Sequence, residues 1–340
     1  MKKFDEKINH FKTLLDSNMQ EIYRDGPKSL VNPINYVLSG VGKRFRPILT
    51  MVVAHINNIP IKDIIYPSIA IEMLHNFTLI HDDIMDKDTI RHGKETVHKR
   101  WNNNTAILSG DAMLAISLGV LMRNNLSDST NLVKTYIDGL LSVCEGQALD
   151  IEFEKREDVT IEEYQRMIYL KTAYMIGLSS EIGAIVSGLS QKEISLLKKF
   201  GESIGMAYQV QDDLLELFSD SNSMNKSLDS DFILNKKTFL WTSTPTNQRE
   251  ELQSLIQQFS GDKNKAILGL RTFIINNGVK EIAQSFINEN IKNANSILDE
   301  LDMDTEFLYY YSNLIFNRGN WLNEYGRNDK KLSKTAWGTI

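Results

Sequence analysis

Two acid clusters of the same shape lie far apart in the chain. They read Asp82-Asp83-Ile84-Met85-Asp86 and Asp212-Asp213-Leu214-Leu215-Glu216. On a helix, positions i and i+4 share one face, so the first and last carboxylates of each cluster stand about one turn apart. Packed like charges resist ionising unless cations lie between them. If the two clusters face each other across a cavity, they would bind cations that prefer oxygen ligands, such as magnesium bound to a diphosphate. This pairing points to an enzyme.

The residues before each cluster indicate that neither is an ordinary solvated helix face. A single acidic pair on a helix is most often just such a face. Here the first cluster continues the largely apolar stretch 71–81, and the second follows Ala207-Tyr208-Gln209-Val210-Gln211. Each cluster is therefore expected at the end of a helix that the protein buries.

Proline placement predicts that long helices position these clusters. The chain has six prolines, and none lies between Pro67 and Pro245. A proline inside a helix removes a hydrogen bond and clashes with the preceding turn, so its absence leaves long helices possible. The same span is rich in Leu, Ile, Met, Ala, Glu and Lys, which favour helices. We expect one all-α domain over residues 1–340, large enough to bury a deep cavity as well as a core.

Hydrophobic periodicity and chain breakers set the expected boundaries. Gly26-Pro27 ends an amphipathic first helix, and Pro47 opens the helix over 48–56. Further helices are predicted over 68–87, 105–125, 129–153, 161–188, 192–219, 247–259, 262–276, 279–299 and 304–317. The basic segment 89–104 is predicted to be a loop, the polar segment 220–235 a mobile lid, and 328–340 a frayed end.

Bulk properties narrow the class of protein. The formal net charge of −6 does not suggest a surface for a polyanion, so nucleic acid is not expected as a partner. The single cysteine, Cys144, excludes an internal disulfide, fits a reducing compartment and is predicted to be a core residue. Residues 1–15 lack the apolar region of a signal peptide. Since no segment reaches the roughly 18 uninterrupted apolar residues of a membrane span, we expect a soluble, cytoplasmic protein.

Six motifs occur in order along the chain. They are GKRFRP at 42–47, HDDIMD at 81–86 with Arg91-His92-Gly93 after it, Gly110-Asp111, Gly146-Gln147 with Asp150, Lys171-Thr172, and YQVQDDLLE at 208–216. In order and spacing, over about residues 36–241, they resemble the trans-isoprenyl diphosphate synthases. The resemblance implies a single-domain isoprenoid synthase fold, with helices around a deep central cavity and C-terminal helices over 246–320. It also implies head-to-tail condensation of isopentenyl diphosphate with an allylic diphosphate (dimethylallyl, geranyl or farnesyl).

The same resemblance assigns the metal ligands. Asp82 and Asp86 on one wall and Asp212 on the other would hold magnesium, with three ions per active site. Such ions stabilise the negative charge that develops on the pyrophosphate when an allylic diphosphate ionises. Four more acidic residues are expected behind these ligands, although Glu216 also has the option of a water-mediated metal contact: Asp83, Asp150, Asp213 and Glu216.

Basic residues must accompany the metal, because each diphosphate carries several negative charges. By resemblance, Arg91, Lys171 and Lys236 grip the allylic diphosphate. Four residues are assigned in the same way to isopentenyl diphosphate: Lys43, Arg46, His75 and His92. The basic turn 43–46 would otherwise be read as solvated, but the preceding glycine lets the backbone approach an anion and favours the binding interpretation.

The resemblance assigns three residues to catalysis: Lys171, Thr172 and Gln209. For Thr172 and Gln209, which would direct oxygen dipoles at the cation, the alternative is ordinary hydrogen bonding between helices. His81, unlike His75, matches no ligand position and is expected to be structural. No protein base is needed, because the departing pyrophosphate is positioned to take the proton. The cavity must be dry when the cation forms.

Three positions depart from the family pattern. His92 stands where a second arginine is common, Glu216 replaces the usual final aspartate, and Val41 replaces one of two adjacent glycines. Since histidine is only fractionally charged near neutrality, we expect the KM for isopentenyl diphosphate to rise between about pH 6 and 8. The longer side chain of Glu216 loosens the geometry expected for the third metal.

Product length is expected to depend on Phe77. It lies five residues before Asp82, about 7.5 Å along the helix axis. In the family a bulky residue here forms a floor beneath the growing chain. Phe77 beside the small Thr78, with no insertion in the acid motif, looks more like a geranylgeranyl than a farnesyl diphosphate synthase. The alternative is that Phe77 is an ordinary core aromatic.

Two other functions stay open. A class I terpene cyclase shares the fold and the first acid motif, but it has no use for an isopentenyl diphosphate site, and its second metal motif usually follows an Asn/Ser/Glu pattern. A regulatory subunit of a heteromeric synthase typically lacks the acid motifs, and this chain retains both. Because members of the family are mostly homodimers, a second copy of the chain is the expected protein partner.

Overall fold

The computed structural model describes residues 2–40, 42–123, 129–218, 236–257 and 263–316, which are mainly helical. The N-terminal part comprises α1 (Lys2–Met19), α2 (Lys28–Leu38), α3 (Phe45–Ile56), α4 (Ile61–Met85), a hairpin of Ile90–Arg91 with Lys94–Glu95, α5 (Val97–Arg100), α6 (Asn103–Leu121) and α7 (Ser129–Phe153). Then come α8 (Ile161–Ile168), the π-helical segment Tyr169–Ala173, α9 (Tyr174–Val186) and α10 (Gln191–Phe218). The remaining elements are Phe239–Thr242, Thr246–Gln248, Arg249–Gln257, Lys263–Asn276, Val279–Asp299 and Glu306–Phe316. The predicted lid at 220–235, the tail at 328–340 and Val41 lie outside the described residues.

The all-α prediction is confirmed, and two helices begin and end where periodicity placed them: α7 and Val279–Asp299. The predicted break at Pro67 is wrong, because this residue lies buried inside α4, which begins after Pro60. Its missing N–H removes one helical hydrogen bond, and burial of the surrounding isoleucines outweighs that loss. The segment predicted as a basic loop contains the hairpin and α5.

Helix α9 forms the centre of the fold. It is apolar and small-residue-rich, nearly all of its side chains are buried, and it contacts α3, α4, α7 and α10. A helix that is apolar on all sides must be enclosed by its neighbours. Those neighbours carry both acid clusters, Arg46 and Asp150, so packing around α9 brings much of the candidate site together.

Helices α6 and α7 keep apolar side chains at the surface. Among the helices of the described ranges, only α6 is long and apolar enough to cross a membrane, judged by length and composition alone. In its most apolar 18-residue stretch, 39% of the residues are buried inside the protein. It packs along α4, and Tyr136 of α7 donates a hydrogen bond to Ser117 of α6 at 2.8 Å. The core position predicted for Cys144 is wrong, because this residue is exposed on α7. The apolar helix α6 thus has one face packed against α4 and another exposed.

Candidate active site

Asp82 and Asp86 form a carboxylate pair at the C-terminal end of α4. The backbone N–H of Asp86 donates to the carbonyl of Asp82 at 2.8 Å, which closes the last helical turn. Burial raises the pKa of the Asp82 carboxyl; the Lys171 ammonium opposes this shift, and Asp86 adds to it. Two hard oxygen donors one turn apart, strained by their like charges, fit a divalent cation.

Asp83 holds Arg91. The guanidinium donates through Nε to Asp83 and through Nη2 to Asp88 at 3.3 Å. Burial raises the pKa of Asp83 to about 6, against the opposing effect of Arg91. Because Asp83 accepts this hydrogen bond, its carboxylate orients the Arg91 side chain of the hairpin.

The hairpin turn presents Arg91 and His92 together. His92 has φ 50° and Gly93 has φ 75°, so both central residues of the two-residue turn are left-handed, as a type I′ turn requires. Burial lowers the pKa of the His92 imidazole below its ordinary 6.5, and Arg91 and Lys43 lower it further. The His92 imidazole is therefore mainly neutral at pH 7.

Asp150 on α7 joins two lysines. Its Oδ2 accepts from Lys171 Nζ at 2.6 Å and from Lys236 Nζ at 3.0 Å. Lys236 also pairs with Asp86 at 2.9 Å and with Glu154 at 3.2 Å. Burial raises the pKa of Asp150, but the two ammonium groups outweigh burial and hold it below its ordinary value. The network gathers two cations beside the α4 carboxylates.

A π-helical turn sets the position of Lys171. The helix predicted over 161–188 is interrupted there by the wider segment Tyr169–Ala173, a type of bulge frequent at functional sites. Two glycines make room for it. A Cβ on Gly146 of α7 would lie 2.7 Å from Lys171 Cα, and one on Gly205 of α10 would lie 2.5 Å from Ala173 Cα. The bulge is thus clamped between two helices that approach it backbone to backbone.

Thr172 and Gln209 are hydrogen-bonded to each other. The Thr172 hydroxyl donates to Gln209 Oε1 at 2.9 Å, and Gln209 Nε2 donates to Asp213 Oδ1 at 3.2 Å. Asp213 Oδ2 in turn accepts from the Tyr164 hydroxyl at 2.6 Å and from the Phe239 N–H at 2.7 Å. Thr172 and Gln209 therefore do make an ordinary hydrogen bond between helices, and this bond fixes both side chains. Since its proton goes to Gln209, Thr172 keeps oxygen lone pairs for another partner.

Arg46 and His75 lie together between α3 and α4. Arg46 Nη1 is 3.4 Å from His75 Nε2. A guanidinium can only donate, so this nitrogen must accept, and the imidazole is neutral. Burial holds the pKa of His75 well below its usual range, and Arg46 lowers it further. Burial also lowers the pKa of Arg46, while Tyr208, Glu72 and Asp212 act in the opposite direction.

Arg44 does not belong with the candidate ligands. The binding interpretation of the turn included it, but its side chain is buried and donates to Asp16, Glu72 and two backbone carbonyls. Its φ of 53° lets it precede α3 in a left-handed conformation. Arg44 therefore anchors the turn, and Lys43 next to it is exposed.

The second acid cluster lies near the end of α10. Asp212 and Glu216 are both half-buried and one turn apart. Within the described ranges, no three Asp, Glu, His or Cys side chains are arranged as a ready metal cage. A carboxylate pair on one helix and a further acid on another still fit magnesium that arrives with phosphate oxygens, because that ion commonly takes only one or two protein carboxylates.

The expected floor residues lie one helical turn above Asp82. The Phe77 ring is buried, and the neighbouring Thr78 hydroxyl donates to the carbonyl of His75 at 2.8 Å. The contacts of Phe77 on the same face include the ring of His81.

Three residues have partners or surroundings that the sequence did not predict: Glu154 and Tyr164, which belong to no motif, and Gln147, which belongs to one but was given no role. Glu154 pairs with Lys236, and Tyr164 holds Asp213. Gln147 is 7% exposed, and neither of its amide atoms has a hydrogen-bond partner in the part of the chain that the structure describes. The signal for Glu154 and Gln147 was their spacing from Asp150, four and three residues, which puts them on its helix face. Tyr164 carried no local signal.

The fold and its two acidic helix ends define an isoprenoid synthase architecture. The sequence model of the polyprenyl synthetase family matches residues 27–270, and the chain belongs to that family.

Relatives agree with this assignment. The chain is 34% identical to a short chain isoprenyl diphosphate synthase of Methanothermobacter thermautotrophicus, over 87% of this chain and 92% of that protein. It is 32% identical to a geranylgeranyl diphosphate synthase of Sulfolobus acidocaldarius, over 93% and 97% of the two chains. The crystal structure of geranylgeranyl pyrophosphate synthetase from Pyrococcus horikoshii superposes with a TM-score of 0.85 at 31% identity, over 93% of this chain and 99% of that one.

Proposed function

We propose that the chain condenses isopentenyl diphosphate with an allylic diphosphate, head to tail, and that its main product is geranylgeranyl diphosphate. One observation carries the proposal: the α4 carboxylates are accompanied by two separate basic sets. Lys171 and Lys236 converge on Asp150, whereas Arg46 and His75 meet between α3 and α4. Two basic sets suit two diphosphates. The names of the relatives, geranylgeranyl and short-chain isoprenyl diphosphate synthases, support the same reaction and product class.

The allylic diphosphate would bind to Lys171, Lys236 and Arg91. Lys236 Nζ lies 2.9 Å from Asp86 Oδ1 and neutralises that carboxylate. Phosphate oxygens offered to Lys236 would replace that carboxylate and free Asp86 for a metal ion. Substrate binding and metal binding would thereby assist each other.

Asp82, Asp86 and Asp212 would hold magnesium, with three ions per active site. When bound, magnesium would neutralise the charge developing on the leaving pyrophosphate. Thr172 would face the allylic cation with its lone pairs, held in that orientation by Gln209. The departing pyrophosphate would take the proton that the new carbon chain loses.

Isopentenyl diphosphate would bind to Arg46, His75, Lys43 and His92. Arg46 supplies a permanent charge, and neutral His75 supplies its other ring nitrogen as a hydrogen-bond donor. His92 is mainly neutral at pH 7, so this site is expected to gain charge only in acid.

Purified chain should be incubated with isopentenyl diphosphate and dimethylallyl, geranyl or farnesyl diphosphate, with and without magnesium. Magnesium-dependent formation of linear geranylgeranyl diphosphate is expected. Absence of turnover with every primer would support a regulatory subunit instead, and cyclised hydrocarbon formed without isopentenyl diphosphate would support a terpene cyclase.

Because the pKa of His92 is lowered, its effect on the KM for isopentenyl diphosphate is expected at lower pH than the sequence alone suggests. The rise in KM for isopentenyl diphosphate predicted between about pH 6 and 8 shifts below about pH 6.5, where His92 loses its charge as pH rises. Above that pH, KM is expected to be flat. The measurement is the ratio of the wild-type KM to that of His92→Arg from about pH 5 to 8. Both enzymes share the ionisation of the substrate, so the ratio isolates His92; a constant ratio would contradict the prediction.

Phe77→Ala is expected to lengthen the main product by at least one isoprene unit, because it removes the floor beneath the growing chain. Products are measured by chromatography after complete conversion of a limiting primer. Phe273→Ala removes another buried ring, far from α4 in sequence, and is the matched control. Both changes are expected to destabilise the fold by about 3–5 kcal/mol. Equal product lengths in the two variants would make Phe77 an ordinary core aromatic.

A cytoplasmic homodimer would cover the apolar face of α6 and α7. Leu108 and Leu141 are 58% and 57% exposed, on helices that touch through Tyr136 and Ser117. Burying such side chains against a second copy would stabilise a dimer.

Leu108→Glu with Leu141→Glu is expected to yield monomers in analytical ultracentrifugation. Leu268→Glu, at a residue that is 65% exposed on Lys263–Asn276, should leave the dimer intact; monomeric wild type would refute the interface.

A further inference from the structure

His81 is held from two sides. Its Nε2 lies 3.3 Å from the carbonyl oxygen of Ile107 on α6, and since a carbonyl only accepts, the imidazole donates. The same ring meets Phe77 edge-on, with the centroids 4.8 Å apart and the planes at 66°. The imidazole therefore bridges the backbone of α6 and the Phe77 ring.

A missing side chain on α6 makes room for this bridge. A Cβ on Gly110 would lie 2.6 Å from His81 Cδ2 and closer still to Nε2. A Cβ on Gly119, on the same helix, would meet no atom within 4 Å beyond its chain neighbours and the adjacent turns of its own helix backbone. Among these two glycines, only Gly110 is needed for contact between α6 and the histidine.

We infer that His81 is a positioning residue that sets product length by supporting Phe77 from α6. The inference rests on the proposed function, in which Phe77 stops the growing chain. A ring on a single helix can swing aside when a hydrocarbon presses on it, and an edge-to-face neighbour tethered to a second helix resists that movement. In this role His81 acts through Phe77 and needs no contact of its own with a substrate.

Gly110→Ala tests the bridge without altering α4. It is expected to displace the His81 ring and to change the ratio of main product to longer products roughly fivefold, equivalent to about 1 kcal/mol. The rate of the first condensation should stay within about twofold, because no metal or diphosphate ligand changes. Gly119→Ala should leave both quantities at the wild-type values. An unchanged product ratio in folded Gly110→Ala enzyme overturns the inference.

Substitutions of His81 itself keep the test decisive if Gly110→Ala fails to fold. His81→Ala should lengthen the products, whereas His81→Phe, which retains a ring against Phe77, should stay closer to the wild-type distribution. In the Phe77→Ala background, His81→Ala should add nothing, since it acts through Phe77. Full additivity there refutes the inference. If Phe77→Ala gives longer products but neither His81→Ala nor Gly110→Ala does, His81 does not support Phe77, and the proposed floor still stands. If the wild-type enzyme forms no prenyl product at all, the proposed function itself is refuted.

Discussion

Asp82→Asn is expected to lower kcat by about 100- to 1,000-fold, the usual effect of losing one preorganised group that stabilises developing charge. Asparagine keeps the shape of the side chain and removes the charge that would bind a metal beside the leaving pyrophosphate. The magnesium concentration that gives half the maximal rate should rise as well. Steady-state rates measured over a magnesium titration report both quantities.

Asp63→Asn is the matched control for this change. Asp63 lies in the first turn of α4, at the opposite end of the same helix from Asp82. Its charge interacts favourably with the helix N-terminus by only about 0.3–1 kcal/mol, so its loss should leave the kinetics unchanged. If Asp82→Asn kept kcat within about threefold of the wild type at low magnesium, α4 would not carry the metal site.

The helices that carry this chemistry follow from local sequence. Helix α7 is confirmed at the predicted 129–153, because its apolar residues repeat with the helical period and no proline intervenes. The acid clusters were predicted to end buried helices, and Asp83 and Asp213 are indeed buried. Side-chain pattern and helix geometry were enough for these features, since both are properties of a short stretch of chain.

Arg44 shows what local sequence does not contain. It sits two residues from Arg46 in the same basic turn, yet its partners are Asp16 and Glu72, each 28 residues away. No pattern within the turn distinguishes an arginine that anchors the backbone from one that lies beside His75. The same holds for Tyr164, whose bond to Asp213 spans 49 residues. The roles of these side chains depend on partners far away in sequence and cannot be read from residue type alone.

The π segment is the other feature that local sequence could not supply. Tyr169-Leu170-Lys171-Thr172-Ala173 contains no glycine or proline, and nothing in it disfavours an ordinary helix. The widened turn depends on its surroundings, because Gly146 and Gly205 let α7 and α10 approach its backbone. Each glycine alone looks like a weak point in a helix, and its purpose becomes visible only in the packed structure.

Gly146→Ala is accordingly expected to lower both activity and stability. The new Cβ would lie 2.7 Å from Lys171 Cα and 2.8 Å from Lys171 Cβ. The first of these belongs to the backbone and cannot rotate away, so α7 and the π segment must separate. Overpacking of this kind costs about 1–3 kcal/mol in the free energy of unfolding. Thermal and denaturant unfolding measure that loss.

The effect on activity follows from the same displacement. Asp150 lies one turn beyond Gly146 on α7 and accepts from Lys171 at 2.6 Å, so separation of the backbones moves this carboxylate from the lysine that it holds. A misplacement of about 1 Å can cost roughly 100-fold in rate, and we expect that loss in kcat together with a raised KM for the allylic diphosphate. Gly119→Ala, with open space around its Cβ, should keep the wild-type kinetics and gain up to about 1 kcal/mol in helix propensity. Rates are compared well below the melting temperatures of both variants, so that unfolding does not contribute. Wild-type kcat in folded Gly146→Ala enzyme would mean that the lysine reaches its position without the close approach of α7.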